Sequence, residues 1–69
     1  MTYNQYKRSA IAELAEWDGI ALDDSVSVSA EDIKNGSPLL GDMIARNPSN
    51  HKDKWLVARA YFADNFDPI

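Results

Sequence analysis

The chain has no cysteine, and that absence excludes two ways of stabilising a small protein. None of its 69 residues can form a disulfide or a thiolate metal site. Its single histidine, His51, lies in a polar stretch, so a catalytic dyad or metal cluster would have to take every other group from carboxylates. Three isolated glycines form no phosphate-binding loop. We therefore predict no catalytic residue, no metal and no cofactor, and we do not expect an enzyme.

Long apolar runs are also missing. No stretch approaches the roughly 18 apolar residues of a membrane span, and the first 15 residues contain no apolar core of a signal peptide. We expect a soluble, cytoplasmic protein with no membrane contact. A chain of this length forms one domain, residues 1–69, and buries only about 60% of the surface that its unfolded form exposes. Two Trp, three Tyr and two Phe can supply a compact aromatic core.

Basic residues are absent between Ser9 and Ile33, a stretch that we call the acidic segment. All seven Lys and Arg side chains lie outside it. This distribution argues against a nucleic-acid partner, since the Lys and Arg residues of the second half of the chain form at most a weak basic patch. The segment is either a solvated face that keeps a small protein soluble or a surface that meets a basic partner. Its seven acids are Glu13, Glu16, Asp18, Asp23, Asp24, Glu31 and Asp32.

The N-terminal residues show helical spacing. Aromatic and aliphatic side chains recur at intervals of 3, 4, 4 and 3 residues, which is one stripe of a helix. Alanines at 10, 12 and 15 favour a helix, and Gly19 provides a stop. The pattern predicts an amphipathic helix over residues 2–17. Its stripe is Tyr3, Tyr6, Ala10, Leu14 and Trp17.

The middle of the chain has weaker signals. Val26 and Val28 alternate with serines, as in a short half-exposed strand. Ser29 is followed by Glu31 and Asp32 in an approximate capping box, and a Gly soon after predicts a short helix over 30–35.

The region after Pro38 fits two structures. Leu39, Leu40, Met43 and Ile44 have the spacing of a helix, whereas the alternation over 43–46 favours a strand. The apolar run 55–57 could likewise be a strand or part of a helix beginning near Lys52, and periodicity does not decide between them. We favour strands at 42–47 and 54–57 and a helix at 58–66, mainly on a resemblance.

The last 29 residues resemble a segment of small, mostly uncharacterised proteins of tailed bacteriophages. In that pattern Gly-Asp, a hydrophobic residue and Ile open a strand, a second strand contains an aromatic, a helix contains a Phe, and an aromatic-acid-Pro-aliphatic sequence follows. The resemblance implies a phage or prophage origin and a β-hairpin followed by a helix, and it implies no activity. The turn here is longer than in the commoner form, and the first 40 residues match no such pattern. The matching residues are Gly41, Asp42, Met43, Ile44, Trp55, Leu56, Val57, Phe62, Phe66, Asp67, Pro68 and Ile69.

These signals together predict an α+β fold. An N-terminal amphipathic helix would pack with a short second helix, an antiparallel β-hairpin and a C-terminal helix. The alternative is an all-α bundle of three or four helices.

The leading functional hypothesis is a small phage- or prophage-encoded accessory protein that binds a host or phage protein without chemistry of its own. One alternative is an acidic inhibitor that mimics nucleic acid and occupies a DNA- or RNA-binding protein; another is a homo-oligomeric structural module. A mimic needs carboxylates in rows at phosphate-like intervals, whereas an interaction module needs an apolar or aromatic centre with a polar rim. The candidate partner-binding residues are Glu13, Glu16, Asp18, Asp23, Asp24, Tyr3 and Tyr61.

Overall fold

A computed structural model describes all 69 residues as one six-stranded sheet with two short helices. The strand order across the sheet is β3-β5-β4-β2-β1-β6. The strands are β1 (Asn4–Lys7), β2 (Ile11–Glu16), β3 (Val26–Ser27), β4 (Met43–Asn47), β5 (Asn50–Val57) and β6 (Asp67–Pro68); the helices are α1 (Ala30–Lys34) and α2 (Arg59–Asn65).

Two antiparallel hairpins form the centre of the sheet. β1 pairs with β2 and β4 pairs with β5, and the hairpins join where Leu14 of β2 lies opposite Ala45 of β4. The β4–β5 hairpin matches the strands predicted at 42–47 and 54–57. β3 adds to β5 in parallel, and β6 adds antiparallel to β1.

The predicted N-terminal helix is wrong, because residues 4–16 form the β1–β2 hairpin. A spacing of four residues suits a helix, but it is also an even number and keeps side chains on one face of a strand. Tyr6 and Leu14 therefore share a face, with Tyr6 opposite Ala12. The two spacings of three change face in an extended chain, so Tyr3 and Trp17 lie on the other side, near Ile44. Pairing with β4 overrides the helix propensity of the alanines.

The predicted α+β arrangement and the alternative all-α bundle are both wrong as well. The fold is mainly a β-sheet, and its helices have five and seven residues. α1 lies in the segment predicted at 30–35, where the Ser29 hydroxyl accepts a hydrogen bond from the Asp32 backbone N–H at 3.1 Å. α2 lies within the segment predicted at 58–66 and packs on the sheet. No helix follows Pro38 before β4.

One side of the sheet, which we call the helix face, packs against α2. Leu14 is its centre, with no exposed surface. The Phe62 ring of α2 meets Tyr6 edge-on at 4.9 Å between centroids and stacks on Phe66 at 5.7 Å. Small buried alanines leave room for these rings. The cluster comprises Ala12, Leu14, Met43, Ala45 and Val57, with Tyr6, Trp55, Phe62 and Phe66 packed against it.

The opposite side, which we call the loop face, packs against the segment between β2 and α1. Val26, Ile44 and Leu56 form its buried cluster. Trp17, Leu22 and Val28 cover that cluster in part. Both faces of the central strands are therefore buried near β4, although the domain is small.

Both edges of the sheet are short. β3 and β6 have two residues each, and β6 contains Pro68, which has no backbone N–H to donate. Short strands and an edge proline hinder the addition of a strand from another chain. Because β3 pairs only with Lys54 and Trp55, the other residues of the eight-residue β5 have no strand partner on that side.

The position of Leu14 generates a stability prediction. Leu14→Ala should lower the free energy of unfolding by about 2–5 kcal/mol, because it opens a cavity at a fully buried position. Ile11→Ala is the matched control: the same strand carries this side chain 50% exposed, and the cost should be below about 1 kcal/mol. Urea unfolding followed by fluorescence measures both. Equal midpoints for the two variants would contradict the assignment of Leu14 to the core.

Candidate functional site

Asp42 joins the loop before β4 to the start of α2. It is the one charged residue with a buried side chain, 3% exposed. Its Oδ2 accepts hydrogen bonds from the Ser37 hydroxyl and the Leu39 backbone N–H, both at 2.8 Å, and its Oδ1 accepts from the Arg59 backbone N–H at 3.0 Å. These three hydrogen bonds compensate the carboxylate for the hydration that it loses on burial.

The Asp42 carboxylate caps the N-terminus of α2. Ala58, at the N-cap of α2, offers no side-chain acceptor, and Asp42 binds the first free N–H of that helix from 17 residues away. Gly41 makes the approach possible, since its φ is +96° and a Cβ atom there would lie 2.7 Å from Arg59 Cδ. The Gly-Asp pair thus fixes the 37–42 loop.

The environment of Asp42 lowers its pKa. Burial acts to raise the pKa, but the hydrogen bonds from Leu39, Ser37 and Arg59, together with the Arg59 charge, outweigh burial and hold it below the ordinary value. The carboxylate is therefore ionised at neutral pH, and its role is structural.

The fixed loop displays an exposed apolar surface, the Ile20–Leu40 patch, which consists of Ile20, Leu39 and Leu40. These side chains are 84%, 52% and 73% exposed. The patch joins two loops: a Cβ atom on Gly19 would lie 2.9 Å from Leu40 Cδ2. Large aliphatic side chains grouped at such exposure are typical of an interaction surface.

Acidic residues border this patch. Asp18 Oδ1 accepts a hydrogen bond from the Ile20 backbone N–H at 3.0 Å, which places the carboxylate beside that side chain. Asp32 shares a surface depression of about 260 Å³ with Leu39 and Leu40. Arg59 is the basic residue that lines the same depression. The result is an apolar centre with a mainly acidic rim.

Two of the predicted partner-binding residues, Glu13 and Tyr3, instead contact basic side chains of the chain itself. Glu13 Oε1 accepts from Arg46 Nε at 2.7 Å and lies 3.3 Å from His51 Nε2. The hydrogen bond from Arg46 lowers the Glu13 pKa, despite the opposing effect of desolvation. The Arg46 guanidinium also lies 3.9 Å from the centre of the Tyr3 ring. Their exposed surface is correspondingly small.

The other predicted acids are exposed but dispersed. Glu16, at the end of β2, lies on the helix face with Leu14, whereas Glu13 lies on the loop face. Asp23 accepts a hydrogen bond from the Ser25 backbone N–H at 2.9 Å, and that bond lowers its pKa. Lys54 Nζ lies 4.0 Å from Asp23 Oδ2. Asp24 is exposed beside it.

Tyr61, the last predicted residue, is 44% exposed on α2. Its ring meets Phe66 edge-on and has the Arg8 guanidinium 5.2 Å from its centre. It shares a surface depression with Glu31 and Asp32, whereas Tyr3 lies with Asp18 and Asp23 at a separate cavity. The structure therefore does not bring Tyr3, Tyr61 and all the predicted acids together in one site.

Sequence reasoning missed the Ile20–Leu40 patch because large aliphatic residues are ordinarily buried, so none was considered as a surface residue. A usable signal was present: Ile20 follows Gly19 and Leu40 precedes Gly41, and both glycines have positive φ. Turns lie mostly at the protein surface, where the aliphatic residues within them are exposed.

No family model, curated protein or solved structure matches this chain. Neither helix has the length and apolar character needed to cross a bilayer. No group of three or more His, Cys, Asp or Glu side chains is placed to hold a metal ion.

The lowered pKa of Asp42 predicts a pH effect on stability. A group with a depressed folded-state pKa stabilises the fold above its ordinary value, 3.8, and that stabilisation disappears as the pH falls through the lowered pKa. At about pH 7, Asp42→Asn should cost about 1–3 kcal/mol, since an amide cannot accept on both sides. The difference from wild type should shrink at acidic pH, as the pH falls through the lowered pKa and Asp42 itself becomes protonated.

Urea unfolding at both pH values measures this effect, with the exposed Asp64→Asn as the control. Both proteins lose other acid-sensitive contacts on acidification, so the informative quantity is the difference between wild type and variant. A difference that does not change with pH would contradict the role given to the ionised carboxylate.

Proposed function

We propose that this chain is a small accessory protein, encoded by a phage or prophage, that binds a host or phage protein with a basic surface and catalyses no reaction. It would act in the cytoplasm of the bacterial host. The observation that carries the proposal is the Ile20–Leu40 patch with its acidic rim.

The composition of the patch favours protein binding. Apolar side chains that lose water on contact supply affinity, and the surrounding charges give orientation and specificity. Ile20, at 84% exposure, contributes nothing to the core. The Asp42 hydrogen bonds and the glycine turns hold Leu39 and Leu40 in place before a partner arrives, which reduces the entropy lost on binding.

The arrangement of the acids favours this function over mimicry of nucleic acid. Glu13 is paired with Arg46, and Asp23 lies close to Lys54. Glu13 and Glu16 lie on opposite faces of the sheet, and the remaining acids of the acidic segment are in loops and α1. Carboxylates so distributed do not resemble a row of phosphates.

The resemblance described above supports the phage origin. In the structure, the residues that carry this resemblance have roles that depend on one another. Gly41 permits the approach of Arg59, Asp42 binds the start of α2, and Phe62 and Phe66 fill the helix face. Pro68 lies in the edge strand β6. A pattern of this kind can recur for structural reasons while the partner differs.

A paired capture experiment tests the proposal. The tagged protein, an Ile20→Ser/Leu40→Ser variant and an Ile11→Ser control are each exposed to lysate of infected bacteria, and bound proteins are identified by mass spectrometry. A true partner should bind wild type and the control and be depleted at least about tenfold with the double variant, which corresponds to about 1.4 kcal/mol. All three proteins should remain folded, because the substituted side chains are half exposed or more.

Salt dependence separates the charge contribution. Binding of the purified partner should weaken from about 0.1 M to 1 M salt, as the Debye length falls from about 10 Å to about 3 Å. Asp24→Lys should slow association, because that acid is exposed and has no hydrogen-bonded role. Capture that is equal for the double variant and wild type would overturn the assignment to this patch. Self-association abolished by the double variant would identify the occupant as a second copy instead.

A further inference from the structure

A cavity of about 230 Å³ lies on the loop face, beneath the segment that connects β2 to β3. Ile44 forms part of its apolar wall, and Leu22 lies on the loop side. It is separate from the Ile20–Leu40 patch because the same loop directs Ile20 outward and Leu22 inward. The residues on which the argument rests are Tyr3, Trp17, Asp18, Asp23, Ile44 and Lys54.

Aromatic rings form one side of this cavity. Trp17 is oriented by its indole N–H, which donates to the Ala21 carbonyl oxygen at 3.4 Å. Tyr3 already has the Arg46 guanidinium 3.9 Å from its centre. Indole and phenol rings attract cations through their negative faces, and indole does so most strongly.

Two carboxylates lie at the same cavity. Asp18 and Asp23 each use Oδ1 to accept a backbone hydrogen bond, from Ile20 at 3.0 Å and from Ser25 at 2.9 Å. Asp18 Oδ2 accepts no hydrogen bond from within the chain, whereas the Ser25 side chain is a further hydrogen-bond partner of the Asp23 carboxylate. The Lys54 ammonium lies 4.0 Å from Asp23 Oδ2, beyond hydrogen-bond distance. The lining side chains thus carry two carboxylates against one loosely placed ammonium, a negative side-chain charge, and Met1 is a further lining residue.

From this combination we propose that the cavity binds an organic cation, a guanidinium or alkylammonium group attached to an aliphatic stem. The charged group would lie between the Asp18 and Asp23 carboxylates and against the Trp17 ring, and the stem would lie along the apolar wall near Ile44. Arginine and lysine side chains combine these two parts.

An organic cation of this kind has two sources. One is an Arg or Lys side chain of a partner protein, and this assignment rests on the proposed function. The other is a free polyamine, which would bind whether or not a protein partner exists. The structure favours the side chain, since the cavity adjoins the loop that carries Ile20 and one contact could occupy both.

Nuclear magnetic resonance of the two indole N–H groups provides the test. The probes are an arginine blocked at both ends, the equally blocked citrulline as a neutral analogue of the same shape, and putrescine. Trp17 lines the cavity, whereas Trp55 packs with the opposite face and serves as an internal control. Blocked arginine should shift the Trp17 signal in a saturable way and leave Trp55 unchanged, and citrulline should shift neither.

The variants exploit the backbone hydrogen bonds of the two acids. Asp18→Asn and Asp23→Asn keep an Oδ1 that can accept from Ile20 or Ser25, so each removes charge while preserving its turn. Each should weaken binding about three- to tenfold, the range expected for one charged contact. Asp24→Asn changes the net charge equally but does not line the cavity, and it should have no effect. Lys54→Gln removes the resident ammonium and should strengthen binding.

The outcomes separate the cavity from the partner surface. Saturable binding of arginine that responds to Asp18, Asp23 and Lys54 as described supports the site, even if the Ile20→Ser/Leu40→Ser variant retains its partners. Binding of putrescine but not blocked arginine would support the cation site and overturn the side-chain source. No Trp17 shift with either cation, or equal shifts with citrulline, would overturn the proposal.

Discussion

The hydrogen bonds of Asp42 are the constraint on which the surface of this protein depends. One carboxylate holds the loop before β4 through Ser37 and Leu39 and the start of α2 through Arg59. α2 in turn brings Phe62 onto the helix face. Because the loop and the helix share an anchor, the exposed position of Leu40 and the burial of Phe62 are linked. A change at Asp42 would therefore disturb the placement of the patch and the stability of the fold together, unlike a change within the patch.

The sheet divides the chain into a structural side and a side suited to binding. Aromatic rings and α2 fill the helix face. The loop face receives a connecting segment in which Leu22 packs inward, Ile20 projects outward, and Asp18 and Asp23 stay at the surface. A short loop can thus present apolar and acidic groups without a secondary structure of its own. Surface loops on a rigid sheet commonly carry binding residues for this reason.

The sequence permitted prediction of local features better than of the fold. Ser29 and the acids after it indicated α1, because a capping signal arises within a few residues. The alternation after Asp42 left strand and helix open, and the resemblance was the main reason to favour β4. The prediction for the N-terminal segment failed because spacings of four residues suit both a helix and a strand. Only the pairing of Leu14 with Ala45 decides between the two. Of the candidate site, Asp18 and Asp23 were predicted. Ile20, Leu40 and the cavity depend on loop contacts between distant residues, and no local pattern encodes these.

The short edge strands also bear on how the protein behaves at high concentration. Open backbone N–H and C=O groups along an edge can recruit further copies into fibrils. With two residues in β3 and a proline in β6, the outermost strands offer little backbone for such growth, and the backbone left without a strand partner is that of β5 beyond Lys54 and Trp55. A β-rich chain with long outer strands aggregates more readily at high concentration. Short outer strands reduce this tendency in a sheet that also carries an exposed aliphatic patch.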